Sequence, residues 1–62
     1  MMTTICVFME DTKEVRERLW KIKREFNCFV RIETVEFDYI QVQIDCPVPQ
    51  AEAIERRLAD LV

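Results

Sequence analysis

The side chains equipped for chemistry are few. They are three cysteines, Cys6, Cys28 and Cys46, and four carboxylates next to predicted turns, Glu10, Asp11, Glu36 and Asp38. Hydrolytic or acid–base chemistry needs a base held against a nucleophile, and a metal needs several ligands at short spacing. The chain has no histidine and no C-x-x-C pair, and it lacks the glycine from which phosphate-cradling loops are built. Carboxylates before a helix ordinarily cap it, and those in a hairpin loop are ordinarily solvated. No enzyme, no metal and no cofactor are therefore expected. The odd number of cysteines and the Met1-Met2-Thr3-Thr4 start, which has neither the basic nor the apolar stretch of a signal peptide, point to reduced thiols in a cytoplasmic protein.

The elements that must position these residues follow from periodicity. Residues 3–9 alternate, with Ile5, Val7 and Met9 on one face and Cys6 and Phe8 on the other, which reads as a strand. Asp11 followed by Glu14 reads as a capping-box variant opening a helix over 12–26, whose apolar stripe is Val15, Leu19, Ile22 and Phe26. From 28 to 35 and from 39 to 46 the period returns to two. Matching the apolar faces requires Thr34 opposite Ile40, Ile32 opposite Val42 and Val30 opposite Ile44. That register leaves Glu36, Phe37 and Asp38 as a three-residue loop, with Asp38 suited to a left-handed turn position. It also sets Cys28 against Cys46, as two buried thiols on the core face or, alternatively, a cross-strand disulfide. Pro47 ends the strand, Pro49 suits the first position of a second helix with Glu52 in its first turn, and Ala51, Ile54, Leu58 and Leu61 carry its stripe to the C-terminus.

The 62 residues form one domain, 1–62, because no chain is left for a second core. The order β-α-β-β-α with one apolar sheet face predicts an α+β fold, an antiparallel three-stranded sheet with two helices on one face. This order resembles the ferredoxin-like β-α-β-β-α-β fold without its last strand. Among small regulatory domains of that fold, strand Ile5–Met9, the acidic turn Glu10-Asp11, the helix, Asn27 before the second strand, and the following hairpin and helix most resemble an ACT domain. The resemblance implies pairing of domains and an amino acid or similar metabolite bound between them. Thr12 and Lys13, however, occupy the places of that family's Pro-Gly ligand turn.

Small size and the unpaired strand suggest what the surfaces do. A core of this size stabilises only marginally, and self-association is a common remedy. The first strand carries no Pro, Lys or Arg to discourage edge pairing, so Ile5, Cys6, Val7 and Phe8 are expected to join a second copy in a six-stranded homodimeric sheet. Residues 12–26 hold six cations against three carboxylates, a net +3, while the chain as a whole is −3, which leaves −6 elsewhere. Within this basic segment Trp20 points away from the apolar stripe, flanked by Lys13, Arg16, Lys23 and Arg24. These five residues are candidates for contact with an acidic protein surface or, as a weaker reading, with a phosphate backbone. The alternative is a solvated helix face whose Trp packs under a loop or a neighbouring chain. The open sheet face presents Phe8, Phe29, Tyr39 and Arg31, a set that could stack RNA bases, but Glu33 and Asp45 on the same face argue against nucleic acid. The sequence thus predicts a non-enzymatic homodimeric regulatory module that binds a protein, or alternatively a small ligand at the dimer interface. No apolar run is long enough for a membrane helix.

Overall fold

The computed structural model describes residues 1–61. Their order is β1 (Met2–Glu10), α1 (Lys13–Glu25), β2 (Phe29–Glu36), β3 (Tyr39–Pro47) and α2 (Val48–Ala59). The sheet is antiparallel with strand order β1-β3-β2, so the last strand to form a hairpin sits in the centre and the other two are edges. Element order and sheet order together are those of a ferredoxin-like fold without a strand beside β1.

One apolar layer explains the packing. Ile5 and Met9 of β1, Ile40, Val42, Ile44 and Cys46 of β3, Val15, Leu19 and Ile22 of α1, and Ile54 and Leu58 of α2 are buried together with Cys28. Both helices therefore cover the same sheet face. Every core residue of β3 is fully enclosed, as befits a strand with neighbours on both sides. Thr34–Ile40, Ile32–Val42 and Val30–Ile44 are paired as the apolar alternation demands.

Four local expectations are corrected. Asp11 is not the cap of α1: Thr12, in extended conformation, accepts the Val15 N–H at 3.1 Å on its Oγ1, while Asp11 takes a two-pronged ion pair from Arg16 at 2.6 and 3.1 Å. A hydroxyl one residue nearer the helix reaches the orphan amide, and the carboxylate gains more from a guanidinium. The hairpin loop is two residues, Phe37 and Asp38, because Val35 bulges out between Thr34 and Glu36 and lets Glu36 pair with Tyr39. Asp38 does adopt the left-handed conformation, with φ 61°. Finally, α2 starts at Val48, which moves Glu52 beyond its first turn and into an i,i+4 pair with Arg56 at 2.7 Å, and the helix stops at Ala59, with Leu61 in a following turn.

The direction of the backbone groups on β1 follows from two bonds at its ends. Val48 N–H donates to the Met1 carbonyl at 3.0 Å and Asp11 N–H to the Asp38 carbonyl at 2.8 Å. Both lie in the register that pairs Ile5 with Ile44. In an antiparallel ladder alternate residues exchange both bonds with the partner strand. The odd residues of β1 are therefore bonded to β3, and Met2, Thr4, Cys6, Phe8 and Glu10 aim their amides and carbonyls outward. The same parity carried across β3 bonds Phe29, Arg31 and Glu33 to it and leaves Val30, Ile32 and Thr34 facing outward on the far edge.

Candidate functional site

The β1 edge departs in detail from its expected form. Cys6 and Phe8 offer unpaired backbone groups, joined by Thr4, whereas the backbones of Ile5 and Val7 are already bonded to β3. Ile5 is buried in the core. Val7 contributes its side chain instead, lining with Met9, Leu58, Ala59 and Glu55 an almost wholly apolar recess between β1 and α2. Such a recess beside an open strand is where the side chains of an added strand would settle.

The cysteines divide as expected. Cys28 and Cys46 are both free and buried, Cys46 within β3 and Cys28 just ahead of β2, outside the paired register, and Cys6 is exposed. Burial pushes both enclosed thiols up, with Cys46 adding to the effect at Cys28 and Asp45 to that at Cys46. A raised pKa disfavours the reactive thiolate, so their physical role is packing. Cys6 accepts a hydrogen bond from Gln41 Nε2 at 3.0 Å on the open sheet face.

On that face Phe8 and Tyr39 lie nearly parallel, with centroids 6.5 Å apart and planes 8° from each other. Phe29 is not part of the pair. It lies opposite Asp45, six residues along β3 from Tyr39, about 20 Å at strand rise. Arg31 is spoken for by Asp45 at 3.3 Å, and Asp45 also accepts from the Thr4 hydroxyl at 2.6 Å. The rings and cation that the sequence grouped on one face therefore do not form a continuous stacking platform.

Trp20 is 59% exposed, and beside it stands Ile32 of β2, 38% exposed. The sequence assigns Ile32 to the core, and its pairing with Val42 is as expected. Its outer flank is bare because β2 has a neighbour on one side only. With Lys13, Arg16 and Glu17 these two residues line a shallow groove between α1 and the outer edge of β2. Lys13, Arg16, Glu17 and Trp20 recur at helical spacing and so form one stripe. Lys23 lies over the Trp20 ring, its Nζ 5.2 Å from the centroid, a cation–π arrangement. Arg24 does not line the groove. Arg16 is partly neutralised by Asp11: their hydrogen bond holds the Asp11 carboxyl below its usual range and raises the Arg16 guanidinium. Lys13, Lys23 and Arg24 enter no ion pair among the described residues.

The turn before α1, where a metabolite site is implied by the ACT resemblance, is bonded within the chain. Asp11 N–H donates to Asp38, Thr12 N–H to Glu10, and Val15 N–H to Thr12. The recess beside it is lined by Glu10, Glu14 and Asp60 with Tyr39, a carboxylate-rich wall that would repel the carboxylate of an amino acid. Among the described residues no cluster of His, Cys, Asp or Glu has the makings of a metal site, and no helix is long and apolar enough to cross a membrane. Comparison with protein-family models, with curated proteins and with solved structures finds no match to this chain.

Proposed function

We propose that the chain is a non-enzymatic, homodimeric protein-binding module of the cytoplasm, two copies joining β1 to β1 in a six-stranded sheet. The observation that carries this reading is the β1 edge itself. Thr4, Cys6 and Phe8 present outward amides and carbonyls, no charged or proline residue interrupts Thr3–Met9, and the apolar recess of Val7, Met9, Leu58 and Ala59 runs alongside. Pairing across a two-fold axis satisfies the backbone groups of both copies and brings the two recesses together. An axis at Cys6 matches Thr4 of one copy with Phe8 of the other. The small core supports the same reading, since a chain this short gains stability from association.

Sedimentation equilibrium tests the dimer. A mass of twice 7.5 kDa at micromolar concentration is expected, and a monomer mass across that range contradicts the proposal. Mild oxidation adds the register. An axis at Cys6 places the two Cys6 thiols side by side, so a covalent dimer that is lost in Cys6→Ser supports it.

A further inference from the structure

We infer that the outer edge of β2 and the Trp20 groove form one docking site, which takes an extended acidic segment of a partner protein as an added strand. The inference rests on the protein-binding reading above but concerns the opposite edge of the sheet.

Backbone parity supplies the first half of the argument. Val30, Ile32 and Thr34 are the β2 residues whose amides and carbonyls face outward, and their side chains lie on the helix-covered side of the sheet. A residue bonded opposite Ile32 would therefore place its own side chain on that side, next to Ile32 and under Trp20. Ile32 at the strand edge and Trp20 on α1, both exposed, make an anchor pocket of the kind used in β-strand addition, where backbone bonds give affinity and a side-chain pocket gives selection. Had the parity been reversed, the outward amides would have belonged to Arg31 and Glu33, and the matched side chain would have fallen on the open face, away from Trp20.

Charge supplies the second half. Lys13 and Arg16, the latter shared with Asp11, lie toward one end of the Trp20 stripe and Lys23 toward the other, with Arg24 beyond the groove, and Glu17 is the carboxylate in the groove lining. In an added strand the neighbours on the same face are two residues before and after the anchor, roughly 7 Å away, within reach of long cationic side chains. The matching sequence is an apolar or aromatic residue with a carboxylate two positions to either side. Nucleic acid is the weaker fit, because the amides on the β2 edge match a peptide backbone and not a phosphate–sugar chain.

Trp20 is the only tryptophan and reports binding directly. The probe is the capped peptide Thr-Glu-Thr-Phe-Thr-Glu-Thr, with Thr-Lys-Thr-Phe-Thr-Lys-Thr as control, titrated into the full chain by fluorescence and by amide NMR. Saturable change at Trp20, shifts at Val30, Ile32 and Thr34 with Thr4, Cys6 and Phe8 unmoved, and at least tenfold weaker binding of the lysine peptide are expected. Trp20→Ala, an exposed position that leaves the core intact, should weaken binding by roughly thirtyfold, as a central Trp anchor does. Ile32→Pro should do likewise by deleting one outward N–H. Equal binding of both peptides, shifts confined to β1, no saturation, or tighter capture of oligothymidylate would overturn the inference. Sedimentation of the unsubstituted chain alongside the titration separates the two claims: a monomeric chain that binds the peptide as expected contradicts the dimer alone, and a dimeric chain that ignores the peptide contradicts this site alone.

Discussion

The two edges of this sheet are built from strands of similar length and apolar content, yet they invite different neighbours. On β1 the outward backbone groups belong to Thr4, Cys6 and Phe8, whose side chains lie on the open face, and the adjoining recess is apolar. On β2 they belong to Val30, Ile32 and Thr34, whose side chains point to the helix side of the sheet but are left largely uncovered at this edge, and the adjoining groove is basic and holds Trp20. The Val35 bulge breaks the end of β2, a device that discourages indiscriminate edge pairing, whereas β1 is regular over nine residues. What separates the edges is the parity of hydrogen bonding more than composition. It decides which face of a newcomer is read, and on it rest the two proposals, a second copy at β1 and an acidic segment at β2.

The sharpest way to break the comparison is a pair of proline substitutions one residue apart. Val7→Pro deletes a bond to β3 in the middle of the ladder and should unfold the chain, seen as loss of the circular dichroism signal. Cys6→Pro deletes only an outward N–H and should leave a folded monomer. Equal damage from the two would show the parity to be wrong. Next in size is a contrast between centre and edge. Ile44→Ala, fully enclosed on β3, should cost about 2–5 kcal/mol in urea unfolding, and Ile32→Ala, open on one flank, under about 1 kcal/mol. Thr12→Ala removes the side-chain cap of α1 and should cost about 1 kcal/mol, whereas loss of a solvent-screened surface pair in Asp11→Asn should cost clearly less.

The smallest effect is expected from pH. Cys28 and Cys46 have raised folded-state pKa values, so the unfolded chain loses its thiol protons first. Their contribution is intact below the unfolded thiol pKa of about 8.5 and declines as pH rises past it. Stability should therefore fall on the alkaline side, and more shallowly in Cys28→Ala/Cys46→Ala. Asp11 has the opposite sign: its lowered pKa stabilises above about pH 4 and is lost as pH falls further.

Much of this architecture is legible in the residues themselves. Alternation in Val30-Ile32-Thr34 and Ile40-Val42-Ile44 fixes the register, because a slip of one would bury Gln41 and Arg31. Spacing of Val15, Leu19 and Ile22 fixes the buried stripe of α1. The bulge at Val35 is not legible, since a β-branched residue suits either a continued strand or an extra one. Thr12 and Asp11 are both good caps, and only the position of Arg16 relative to the turn decides between them. Trp20 is identifiable as lying off the stripe, but Ile32 is hidden as its companion, because alternation reports a face and not how far a helix extends over it. Bond parity is likewise absent from a period-two pattern, and with it the distinction between the edges.

Amide hydrogen exchange along β1, followed as the protein is diluted from micromolar concentration, addresses the central claim most directly. The account predicts that Thr4, Cys6 and Phe8 are protected when concentrated and lose protection together on dilution, while Ile5 and Val7 stay protected throughout. Free exchange at Thr4, Cys6 and Phe8 at every concentration would contradict it.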